Sequence, residues 1–200
     1  MRTRIGLAAA IAVVLLECLG SPEARAQAAN TGAQAKARQP DVKRLEAQIK
    51  QFNRLLPRQA RMLAEQPCGH RDCSVTIQMK EATVSIDGKD VKICVAVLPI
   101  SLKFDQTSSG NPPKTITWTL SASTVGGVPV EFLEKGGITK IDDAKSQLNP
   151  DNSRTSTTKY GAKNMHNQTG EASYLPVIFR RLDAGPQACA TADDPKIVNE

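Results

Sequence analysis

The chain has 200 residues, enough for one domain with a full core and a smaller appended piece. Aromatic residues are 4% of the total, which argues against a base-stacking surface and so against a nucleic-acid partner. The net charge of +6 is uneven: residues 27–66 carry eight basic and three acidic groups, whereas residues 67–200 carry fifteen of each.

Arg2 and Arg4 precede an apolar run from Ile5 to Leu16, and Ala24-Arg25-Ala26 has the form of a cleavage site. This layout predicts a secretory signal peptide over residues 1–26, cut before Gln27. The run falls short of the roughly 20 residues of a membrane span, and Glu17 interrupts it, so no transmembrane span is expected in the mature chain. Glu17 also stands where a lipid-anchored cysteine would want a small residue, so Cys18 is expected to leave with the signal. Export to the periplasm or beyond is oxidising. There Cys68, Cys73, Cys94 and Cys189 are expected to form two disulfides. Three connectivities are open, and we favour a Cys68–Cys73 clasp with a long-range Cys94–Cys189 tie.

Residues 27–39 are small and polar and read as a flexible leader. Residues 40–66 read as a basic amphipathic helix. Asp41 suits its N-terminus, and Val42, Leu45, Ile49, Phe52 and Leu56 share one stripe. Lys43, Arg44, Lys50 and Arg54 fall outside that stripe. Pro57 predicts a kink, followed by a second short helix over Arg58–Gln66 with Met62 and Leu63 inward. The stripe suits docking on the chain's own β domain. Its heptad-like spacing also fits helix-mediated self-association, and its charge fits an anionic surface.

Residues 67–200 read as a disulfide-braced β domain. From Cys73 the apolar period becomes two, and Asp87-Gly88 predicts a hairpin turn. The run Val91–Leu98 is apolar on both faces in its second half, as in a central strand covered on each side, with the helix as one cover. Residues 105–114 form a loop. Ile116, Trp118 and Leu120 face inward from a strand whose other face is threonine-rich, which predicts an antiparallel sheet. Gly126-Gly127 marks a turn before Val128–Phe132. Residues 142–158 read as a long polar loop, and residues 160–162 and 172–179 as further strands, before a tail. The fold class is mainly β: an Ig-like antiparallel β-sandwich preceded by a kinked N-terminal amphipathic helix. The order Cys94, Trp118, Cys189 fits that architecture, although Gln187 stands where a tyrosine corner would need Tyr.

The strand Ile116-Thr117-Trp118-Thr119-Leu120, with Cys189 and the terminal Asp194-Pro195-Lys196-Ile197-Val198-Asn199, resembles a group of small, uncharacterised exported proteobacterial β-sandwich proteins. The likeness covers residues 91–200. It implies an exported β sandwich, and no activity or functional residue follows from it.

Chemical candidates are sparse. His70 lies between Cys68 and Cys73, a spacing unlike a structural zinc site, and reads as a solvent-facing residue of a disulfide loop. His166 reads as a strand-end or loop residue. Asp142-Asp143 and Asp193-Asp194 read as solvated loop acids, because adjacent side chains diverge. Gly126-Gly127 and Gly136-Gly137 open no helix that could cradle phosphate. Trp118 reads as core, and Asn167-Gln168-Thr169 is a glycosylation sequon only in a eukaryotic secretory route. No catalytic, cofactor or metal set is assigned. The expected role is that of a non-enzymatic envelope protein acting by binding or structural interaction with an unknown protein or envelope partner. The alternatives are an envelope enzyme with a site near His70 or His166, and electrostatic attachment to anionic surfaces through the basic helix.

Overall fold

A computed structural model describes residues 40–106, 112–166 and 168–200. The expected signal peptide (1–26, with Cys18), the leader (27–39), residues 107–111 of the Gly/Pro loop and Asn167 of the sequon lie outside the described residues. The fold is mainly β, with three sheets and, among the described residues, one α-helix.

That helix, α1, spans Val42–Leu55, and the Asp41 side chain caps it by accepting from the Lys43 amide at 2.9 Å. It ends before Pro57, as the missing amide requires. The second short helix does not form. In its place a 3₁₀ turn, Arg58–Ala60, leads into two very short strands, β1 (Met62–Leu63) and β2 (Gln66–Pro67). Residues 58–67 therefore belong to the β fold, and the α-helix stops at Leu55, eleven residues before the expected end at Gln66. The physical reason is backbone demand: two open strands next to this segment hydrogen-bond it in extended form.

The first sheet runs β1, β4 (Lys89–Pro99), β3 (Cys73–Ile86), β6 (Lys114–Leu120), β11 (Lys159–Asn164), β10 (Leu148–Pro150). The second runs β2, β5 (Ser101–Phe104), β15 (Lys196–Asn199), β12 (Gly170–Pro176), β9 (Ile138–Asp142). The third runs β14 (Gly185–Ala188), β13 (Ile178–Leu182), β8 (Val128–Phe132), β7 (Thr124–Val125).

The hairpin between β3 and β4 turns at Asp87 and Gly88, both with positive φ (51° and 73°), the conformation that favours Asp-Gly. The sheets are mixed, not antiparallel throughout. β3 pairs β6 in parallel, as β5 does both β2 and β15, and β1 does β4. The antiparallel expectation for β6 holds on its β11 side and fails on its β3 side, because a threonine face reports a half-exposed face, not strand direction. Ser74 and Thr76 of β3 sit opposite Thr117 and Thr119, so polar outer faces meet across a parallel pair. Residues 142–158 are not one loop: β10 lies inside them, and Gln147 is fully buried. The tail holds the β13–β14 hairpin and β15.

One core joins all three sheets. Val75, Ile77, Trp118 and Tyr160 meet Leu102, Phe104, Tyr174 and Ile197 of the second sheet and Phe132 and Ile178 of the third. β4 is buried on both faces. Cys94, Ala96 and Leu98 enter this core, while Ile93, Val95 and Val97 pack with Phe52 and Leu56 at the end of the helix. Leu45 and Ile49 pack on Leu133, Leu175, Val177 and Phe179. The stripe is thus occupied by the chain's own sheets. Ile49 is 1% exposed, so Ile49→Ala is expected to lower unfolding free energy by about 2–5 kcal/mol, measured by urea unfolding. A loss under about 1 kcal/mol would mean that the helix contributes little to the fold.

Candidate functional site

The cysteines pair as Cys68–Cys73, five residues apart, and Cys94–Cys189, 95 residues apart. The short clasp is sewn onto the end of β5. The amides of Cys68 and Gly69 both donate to the Lys103 carbonyl (2.7 and 3.2 Å), and the Asp105 amide donates to the Gly69 carbonyl (3.2 Å). His70 is exposed there, with Nδ1 2.9 Å from the Asp105 carbonyl oxygen. That contact fixes a tautomer in which Nδ1 donates and Nε2 faces the solvent.

His166 lies two residues past β11, at the same end of the molecule, with φ of +48°. It is a loop residue but a buried one, 1% exposed, with its ring 6.0 Å from that of Phe104. Its amide donates to Asn164 Oδ1 (3.1 Å), and neither ring nitrogen has a hydrogen-bond partner among the described residues. Burial lowers its pKa, Lys114 and His70 push the same way, and Asp105 opposes them. The imidazole is therefore neutral at neutral pH. The fold brings the two histidines to either side of Phe104–Asp105, yet His70 meets a backbone carbonyl there. The relay of His, His and carboxylate that acid–base catalysis would use is not formed among the described residues.

Sequence reasoning missed the polar groups that the fold buries. Asn164 Nδ2 donates to Asn199 Oδ1 (2.7 Å), Asn199 Nδ2 to Gln147 Oε1 (3.0 Å), and Gln147 Nε2 to the Gln168 carbonyl (2.8 Å). The terminal Asn199 of the D-P-x-I-V-N stretch is thus a structural tie between β15, β11 and the loop before β10. Asp143 is not a solvated acid: its carboxylate, 3% exposed, accepts from the Gln147 and Leu148 amides (2.5 and 3.0 Å) and faces Lys140. Glu131 is buried between Arg154 and Arg181. Gly137 lies so close to Tyr160 that a Cβ would meet the ring at 2.5 Å, which gives the Gly136-Gly137 pair a packing role.

A cleft of about 380 Å³ opens between α1 and strands β9 and β12. Ile49 and Leu175 supply apolar surface; Glu46, Lys50, Lys140 and Asp194 supply charges of both signs. Ile141 of β9 lies against it, 49% exposed.

Asp193 closes one end. Its carboxylate accepts from Arg61 (2.8 Å) and from Asn53 Nδ2 (2.7 Å), so it too is not a free loop acid. Arg61 is 2% exposed and also donates to the Thr191 carbonyl (2.7 Å). Desolvation pushes the Asp193 carboxyl up, but the Arg61 and Asn53 hydrogen bonds, with the charges of Arg61 and Arg58, hold it below its ordinary value. A carboxyl held low in the fold adds stability above the unfolded pKa, and loses it as pH falls through the folded value. Asp193→Asn is therefore expected to cost about 1 kcal/mol at neutral pH, kept small by solvent screening, and to match the parent near pH 2. Urea midpoints at the two pH values test this; an equal loss at both would show that charge plays no part.

The cleft thus combines an apolar floor, rim charges of both signs and an anchored amide–guanidinium end. Neither a protein-family model nor a curated protein matches this chain.

Proposed function

We propose that the chain is an exported envelope protein that works by interaction rather than by catalysis. The observation that carries this reading is that all four cysteines of residues 27–200 are paired, one pair joining residues 95 apart in the sequence. Such pairing belongs to oxidising compartments, and it agrees with the signal-like residues 1–26. An interaction role is supported by how the buried charges are used. Arg61 serves Asp193 and Thr191, Glu131 serves two arginines, and Arg180 serves Gln187, Glu81 and the Lys92 carbonyl. These groups brace the scaffold, while the cleft beside α1 stays open to solvent. An Ig-like grouping of the sheets is part of the reading, supported by Cys94, Trp118 and Cys189 sharing one core. The resemblance to exported proteobacterial β-sandwich proteins fits the same role.

The test is fractionation of cells making the full chain. Release by osmotic shock, a mature N-terminus at Gln27 and two disulfides on non-reducing peptide mapping are expected. An uncleaved chain held in the cytoplasm with four free thiols would overturn the proposal.

A further inference from the structure

One side of α1 carries a row of exposed cations. At about 100° per residue, Lys43, Lys50 and Arg54 lie within about 40° of one another, opposite the buried Leu45 and Phe52. Arg44 lies about 80° round the helix from Arg54 and Arg58 follows in the 3₁₀ turn, so these two flank a ridge of three cations. All five are exposed, and none forms an ion pair with the described residues. The ridge is rigid, because the opposite face of the same helix is fixed to two sheets by Leu45, Ile49 and Phe52. Glu46 is the single acid within the helix; it lines the cleft together with Lys50, about 40° round the helix from it. Next to Arg54 stands Leu55, 42% exposed, one of two large apolar side chains that the described surface leaves open.

We propose that this ridge is a docking surface for an anionic phospholipid layer of the envelope. This rests on the reading of the chain as an exported envelope protein and names the partner for one face of it. The argument is complementarity. A helix about 21 Å long lies flat, its cations in a row facing outward, as a planar layer of phosphate headgroups requires. Leu55, on the Arg44 side of the helix at its C-terminal end, can enter the acyl boundary, a contact that an anionic polysaccharide would not reward. Each cation held at such a surface strengthens binding about fivefold, and that gain falls as salt screens it.

The test is vesicle co-sedimentation with the protein purified from cells. Binding is expected to vesicles containing about a third phosphatidylglycerol and not to pure phosphatidylcholine, and it should vanish between about 0.05 M and about 0.5 M salt. The variant Lys50→Glu/Arg54→Glu should bind at least about 25-fold more weakly. The control Lys159→Glu/Lys163→Glu, with the same change in net charge on exposed positions of β11, should bind like the parent. Leu55→Ser should weaken binding by a smaller factor that persists at higher salt. Unchanged thermal melting of all three variants shows that each is folded. Equal losses in the ridge and control variants would overturn the proposal, because net charge alone would then explain binding. So would binding to soluble polyphosphate without binding to vesicles. Absence of vesicle binding by a protein that is nevertheless processed and released by osmotic shock sinks this inference and leaves the envelope assignment standing; cytoplasmic retention sinks that assignment instead.

Discussion

Replacing both Cys94 and Cys189 by alanine is expected to remove about 4–5 kcal/mol of unfolding free energy, because the tie closes a loop of 95 residues. Against a typical total of about 5–15 kcal/mol for a domain, such a loss leaves the fold marginal or unfolded at 37 °C. The tie joins two parts of the fold that also share backbone contacts. Cys94 lies in β4, and Cys189 follows β14. Beside the sulfurs the Ala96 amide donates to the Ala190 carbonyl (2.7 Å), and the Ala190 amide to the Cys94 carbonyl (2.9 Å). Both cysteines are buried, at 0% and 1% exposure, so alanine leaves only a small cavity and the unfolded chain carries most of the effect. The matched variant Cys68→Ala/Cys73→Ala opens a loop of five residues and should cost about 2 kcal/mol. Urea unfolding of the two double variants decides the matter. Equal losses would mean that chain entropy is not what the long tie controls, since residual structure in the unfolded state can hold the two segments close.

The parts of this architecture that could be read from sequence are those whose partners are close in the chain. Asp87-Gly88 carries its own turn conformation, so β3 and β4 were visible as a hairpin. The 3.6-residue period of Leu45, Ile49 and Phe52 marked the buried face of α1, and the double-sided apolar pattern of β4 called for a cover that the helix supplies. What stayed hidden depends on residues far away. Parallel pairing of β3 with β6 requires a crossover, and no local period encodes strand direction. Met62–Leu63 and Gln66–Pro67 become strands because β4 and β5 offer open edges, against a helical composition.

The same distance hid the candidate site. Arg61 and Asp193 are 132 residues apart, and Asn53 and Asp193 140 apart, so neither looked like more than a surface polar group. Asp143 is a shorter case. Its bonds to the amides at 147 and 148 form a local cap, and the signal missed was an acid four and five residues ahead of the Gln147-Leu148 pair. The basic ridge was legible as composition; that its cations form no ion pair with the described residues was not, because ion pairing is decided by the fold.

Trp118→Ala is the second large effect expected, about 3–5 kcal/mol, and its dissection tests how the core is specified. Trp118 is fully buried in β6, flanked across the sheet by Val75 and Tyr160. Its ring lies 5.3 Å from that of Tyr174, tilted by 54°, and its indole N–H donates to the Tyr174 hydroxyl at 3.4 Å. Burial pushes the Tyr174 phenol far up, despite the opposing hydrogen bond from Trp118, so the hydroxyl stays protonated throughout the working pH range. Two dipoles therefore satisfy each other inside an apolar core, and removing one partner leaves the other buried and unmet. Trp118→Phe and Tyr174→Phe should each cost about 1–3 kcal/mol beyond lost packing, whereas the double variant should cost less than the sum, since no orphaned polar group remains. Far-UV circular dichroism in urea is the readout, because the chain has one tryptophan and the Trp118 variants remove it. A double variant whose cost equals the sum of the singles within about 0.5 kcal/mol would show that the contact is geometrically present but energetically idle. The specification of this core would then lie in ring packing alone.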